Sequence, residues 1–101
     1  LTPELQKQQA EILDGYHERE ETARAKYSDF EQVAYNPSLK ITTVMAQTIQ
    51  SSDIGPDLVY HLGSNPKEAD RISRLAPILQ AKEIGRLEAR LAENPVQKLL
   101  L

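Results

Sequence analysis

Apolar residues in the first quarter of the chain recur at Leu5, Ile12, Tyr16, Ala23 and Tyr27, in steps of 7, 4, 7 and 4. An 11-residue period keeps such a stripe on one face of a helix with little left-handed supercoil. Thr2 is placed to cap this helix and Pro3 fits its first turn. No further proline occurs before Tyr27, and most intervening residues are strong helix formers. Gly15 costs roughly 1 kcal/mol relative to Ala and does not stop the helix. Gln9 and Glu20 fall within the stripe, which leaves it narrow and wet for a core helix. The spacing predicts a helix over 3–27 that packs on a partner helix, and folding back onto its own body is the competing outcome.

Shorter helical patterns follow. Ser28 and Glu31 have capping-box spacing ahead of Phe30, Val33 and Ala34. Asn36-Pro37 ends that helix, because a residue before proline avoids the helical region. Leu39 and Ile41 anchor a loop. Thr42 or Thr43 caps a third helix carrying Val44, Met45 and Ile49, and Ser51-Ser52-Asp53 breaks it. Pro56 opens a fourth at its first position, with Leu58, Val59 and Leu62 facing inward and Gly63 as a left-handed stop. Asn65, Pro66 and Glu68 then read as cap, first residue and capping-box acid of a fifth helix, with Ala69, Ile72 and Leu75 inward. Pro77 starts a sixth, whose apolar positions are Ile78, Ala81, Ile84, Leu87 and Leu91. Asn94-Pro95 stops it. The expected fold is all-α: an extended helical arm over 1–27, a compact group of short helices over 28–93, and a tail over 94–101.

Composition narrows the partners. The 101 residues are 27% charged and 5% aromatic, so one copy builds only a thin core and self-association is a ready source of extra burial. Residues 1–35 hold 8 acids and 4 bases, whereas residues 36–101 hold 7 acids and 8 bases. An acidic arm and a near-neutral body can attract one another between subunits. A net charge of −3 argues against nucleic acid as a partner. No apolar run approaches the ~20 residues of a membrane helix, Leu99-Leu100-Leu101 included. The absence of cysteine excludes disulfides and thiolate metal sites. Leu1 in place of a starting Met, and an end on three leucines, read as a piece of a longer protein.

No constellation of residues points to chemistry. His17 and His61 stand on different helices without metal-ligand spacing, the four glycines form no phosphate loop, and the serines lack an elbow motif. We expect no enzyme activity, no metal and no cofactor. Lys67, Arg71 and Arg74 share one helix face, as do Lys82, Arg86 and Arg90. Interspersed Glu68 and Asp70 disfavour DNA, and an acidic surface on a protein partner is the functional alternative to a solvated face. Glu83–Arg86 and Arg90–Glu93 have pairing distance at i, i+3.

Tyr60, His61, Leu62, Gly63, Asn65, Pro66 and Ala69, continuing to Glu83, Arg86, Leu87, Arg90 and Leu91, form one gapless pattern. It resembles the central region of the internal scaffolding proteins of short-tailed, double-stranded-DNA phages, and residues 10–34 resemble that family's long helix more loosely. The resemblance implies an elongated, helical, self-associating protein that co-assembles with coat subunits, guides them into a closed procapsid, helps recruit the portal, and leaves. It places the protein in the host-cell cytoplasm and the procapsid interior, absent from the mature virion. Such proteins bind coat through a basic helix pair at the extreme C-terminus, which this chain lacks. The expected roles are therefore self-association through Leu5, Ile12, Tyr16, Ala23 and Tyr27, as a dimer or higher homo-oligomer, and contact with portal or coat in the longer protein. An unrelated helical oligomerisation or adaptor domain is the alternative.

Overall fold

Four prolines and two threonines stand at the helix starts. In the computed structural model, which describes residues 2–93, α1 spans Pro3–Lys26, α2 Phe30–Ala34, α3 Thr43–Ser51, α4 Gly55–Ser64, α5 Pro66–Ser73 and α6 Pro77–Glu93. No strand occurs among the described residues. The expected stop at Asn94-Pro95 and the tail lie outside them. Thr2 Oγ1 accepts from the Leu5 amide and Thr42 Oγ1 from the Met45 amide, each at 3.2 Å. Both close an N-terminal turn that would otherwise leave donors unpaired.

The body forms where five helices bury their apolar faces on α4. That helix packs against α1, α2, α3, α5 and α6, and its Leu58, Val59, Tyr60 and Leu62 are all buried. Tyr27 and Tyr60 stack with ring centroids 4.0 Å apart, and Phe30 lies parallel to Tyr60 at 6.3 Å. Their hydroxyls are satisfied at the edge of the core: Tyr27 donates to Asp57 at 2.6 Å and Tyr60 to Asp29 at 2.8 Å. Met45, Ile49, Ile72, Ile84 and Leu87 fill the other side.

A polar seam fixes how α3 lies on α6. The Thr42 hydroxyl donates to Gln80 Oε1 at 2.6 Å, and Ser52 donates to Glu88 Oε2 at 2.5 Å. The start of α3 thus meets the first turn of α6 and its end meets a residue farther along α6, so the two helices run in the same sense. Gln80 is buried, and its amide donates to the carbonyls of Ser73 and Leu75, both at 2.9 Å. One side chain thus ties the α5–α6 corner to the start of α3.

Several local expectations give way to other geometry. Gly63 is an ordinary helical residue of α4, since no glycine has positive φ among the described residues. A Cβ there would stand 2.2 Å from the Val33 carbonyl oxygen, so the glycine is needed for the close approach of α4 to α2. Asn65 makes no cap bond to α5; its amide donates to the His61 carbonyl at 2.9 Å. The capping-box role of Ser28 is likewise unfilled, as Asp29 occupies the cap position and receives Tyr60 instead. Helix α4 starts one residue earlier than expected, at Gly55, beneath which the ring of Tyr16 leaves no room for a Cβ.

Candidate interaction surface

The apolar stripe of α1 divides at its midpoint. Tyr16, Ala23 and Tyr27 are 8%, 4% and 1% exposed and belong to the chain's own core. They are not available to a partner in this arrangement, because α3 and α4 already cover them. Leu5 and Ile12, on the same face one to three turns earlier, stay 47% and 40% exposed. All residues from Thr2 to Asp14 are exposed. The 24-residue helix is about 36 Å long, and its first half overshoots the body that its second half helps to build. Among the described residues, the arm expected over 1–27 extends beyond the body only in its first half. The polar member Glu20 is buried and accepts from His17 Nδ1 at 2.9 Å.

Leu13 joins Leu5 and Ile12 at 41% exposure. It stands one position off the 11-residue period, so the stripe gave no sign of it. Gln9, Ile12 and Leu13 of α1 face Gln47 and Gln50 of α3 across an open groove of about 480 Å³. The Arg19 guanidinium ties α1 to α3 beside the groove by donating to the Gln50 carbonyl at 3.1 Å. The charged residues of this half-helix, Glu4, Lys7, Glu11 and Asp14, share the opposite face at 100° per residue. The groove wall is therefore apolar and amide in character.

The basic residues singled out on α5 and α6 are mostly engaged within the chain. Arg71 donates to Glu83 at 3.0 Å, Arg74 pairs with Asp70 at 3.1 Å, Arg86 donates to Glu83 at 3.1 Å, and Arg90 reaches Glu68 at 3.3 Å. The expected Arg86 pair is thus present. Arg90 reaches across to α5, and Glu68 anchors it there. His61 Nε2 donates to the other oxygen of Glu68 at 2.8 Å, so this carboxylate joins α4, α5 and α6. The hydrogen bond from Arg71, reinforced by both arginine charges, holds Glu83 below the usual carboxylate range. Lys67 and Lys82 are exposed and make no ion pair among the described residues. The two basic stripes therefore supply two free lysines and a neutralised lattice.

A second apolar surface lies at the α5–α6 corner. Ile78 was expected to face inward by its spacing with Ile84, yet it is 78% exposed, and Leu79 is 44% exposed. Gln80 takes the inward position of that turn, and Ile78, two residues earlier, falls on the opposite side of the helix. The described residues include no group of three His, Asp or Glu side chains arranged to hold a metal. No described helix is long and apolar enough to cross a membrane. The α1–α3 groove places no nucleophile beside a base, and its polar groups are neutral amides. The surfaces suited to a function are thus the first half of α1 and the α5–α6 corner. No protein-family model, curated protein or solved structure matches this chain.

Proposed function

We propose that this chain is the self-associating middle of a scaffolding protein of short-tailed, double-stranded-DNA phages. It would hold scaffold subunits together while coat protein closes into a procapsid, then let go. The observation that carries this reading is the gapless pattern from Tyr60 to Leu91. Its residues serve one connected corner of the fold: Tyr60 stacks on Tyr27, Gly63 lies against Val33, and His61 and Arg90 both bind Glu68. Glu83 is held by Arg71 and Arg86, while Leu87 and Leu91 are buried beneath. A pattern devoted to one corner's shape, without a reactive group, suits an assembly protein.

Self-association in this proposal uses Leu5, Ile12 and Leu13, the apolar residues of α1 left uncovered. Gln9 among them lowers the affinity, because a buried amide needs a partner. Modest affinity per contact suits a temporary template, whose many weak contacts act together and release together. Coat and portal would be engaged by the longer protein, inside the procapsid in the host cytoplasm, with none left in the mature virion.

The test is procapsid assembly with the cognate coat protein, using the full-length parent carrying Leu5→Asp with Ile12→Asp. Fewer closed shells of correct size are expected. Normal shells from a parent shown by sedimentation to be monomeric would remove this mechanism. A parent that carries a catalytic or DNA-binding domain in place of a coat-binding segment would favour the adaptor alternative.

A further inference from the structure

We infer that copies of this chain associate head to tail, the α5–α6 corner of one seating in the α1–α3 groove of the next. The inference rests on the self-association reading above and specifies its geometry.

Leu75, Ala76, Pro77, Ile78 and Leu79 form five consecutive apolar residues, none of them buried. Such a run on a surface is a liability unless something covers it. Ile78 at 78% exposure is the most open large apolar side chain among the described residues. It projects from the tip of a corner that Gln80 holds firmly through two carbonyl bonds. The groove is the complementary shape: a recess walled by Ile12 and Leu13, with Gln9, Gln47 and Gln50 as neutral hydrogen-bonding groups. Ala76 has no side-chain acceptor for the first turn of α6, and a groove glutamine can accept from its open Ile78 amide.

Charge favours a second copy as the occupant. Lys40, Arg74 and Lys82 surround the corner, with Asp70 as the shared acid of the first two. The overshooting half of α1 carries Glu4, Glu11 and Asp14 against Lys7, all exposed. Those carboxylates lie on the far side of α1 from the groove. They attract the basic corner across the width of α1, weakly and in a salt-dependent way. Two identical α1 faces brought together lack this attraction, since both carry excess acid. The corner stands on α5 and α6 and the groove on α1 and α3, with α3 packed on α6 between them. One chain therefore uses each surface for a different neighbour. The contact is heterologous, and unless the rotation closes it builds open chains. Its small footprint puts it with weak, transient interfaces below about 1,200 Å².

Sedimentation of the whole chain over a concentration series tests this with two variants at exposed positions, Ile78→Asp and Leu13→Asp. Their helicity is checked by circular dichroism. The wild type should show an average mass that climbs steadily without a plateau at dimer, and should climb less at high salt. Each variant alone should associate at least ~10-fold more weakly. An equimolar mixture should recover a 1:1 dimer and nothing longer, because one intact corner then meets one intact groove. An Ile78→Asp protein that associates like the wild type, or a mixture that stays monomeric, overturns the head-to-tail contact and leaves association through α1 standing. A wild type that remains monomeric at every concentration overturns both.

Discussion

Two glycines on this chain have opposite meanings, and the distance to the next atom separates them. At Gly63 a methyl group would fall 2.2 Å from the Val33 carbonyl oxygen, which is backbone and cannot swing aside. Gly63→Ala should therefore force α2 and α4 apart and destabilise by about 2 kcal/mol, within the range for overpacking. At Gly85, inside α6, nothing lies within 4 Å of the same added atom. Gly85→Ala should stabilise by roughly 0.5–1 kcal/mol through a less flexible unfolded chain. Urea denaturation midpoints at equal slope compare the two, and equal midpoints would refute the close-approach account. Asn65 illustrates the same dependence on surroundings. Its residue type and position fit a helix cap, but the side chain turns back to His61, so the capping contribution expected at this site is absent.

Among the elements, helix starts were the most legible feature. Thr2, Pro3, Thr42, Pro66 and Pro77 act locally, and each stands at or beside the helix start its chemistry implies. The helix ends and joints were less so, because they depend on what lies across the joint. Glycine before Asn-Pro reads as a left-handed stop when only neighbours in sequence are considered; contact with Val33, thirty positions away, decides otherwise. Arg90 has Glu93 within one turn yet pairs with Glu68, and Ser52 with Glu88 leaves no periodic trace at all. Glu83 gives a measurable consequence of the α5–α6 joint. Its folded pKa lies below the ordinary value of 4.5, chiefly through the Arg71 hydrogen bond. The stability it contributes is complete above that ordinary value and is lost as pH falls through the lower folded one. Glu83→Gln should flatten the acid limb of the stability curve, as followed by thermal unfolding across acidic buffers. An unchanged limb would show that the joint is electrostatically idle.

For the whole molecule, the stripe of α1 shows what periodicity can and cannot tell. Spacing identified a face running from Leu5 to Tyr27; it did not say that the body covers only the latter half, in a molecule whose extents are 49 × 30 × 28 Å. Both tyrosines that attach α1 to the body titrate late. Burial pushes Tyr16 up to about 12, and burial with the hydrogen bond to Asp57 raises Tyr27 as well. Up to the ordinary value of 10.0 both folded and unfolded chains keep these protons and stability is unaffected. Above it the unfolded chain ionises first, so stability should fall with rising pH until the folded values are reached. Tyr16→Phe should lessen that decline. A slope in the variant equal to that of the wild type would place the alkaline sensitivity elsewhere.

The unequal covering of α1 also implies two clocks along one continuous helix. Its first dozen residues are held by their own backbone bonds and the Thr2 cap, and isolated helices of that length are marginal in water. Their amide hydrogens should exchange with solvent through local fraying, whereas those beyond Tyr16 should wait for the α1–body contact to open. The boundary near Gly15 should appear in a hydrogen-exchange map of the dilute protein as a step in protection. Under conditions in which copies associate, that step should diminish, since an occupied groove slows the early amides toward the late ones. Uniform protection along α1 in the dilute protein would mean that its first half is held by contacts other than those described.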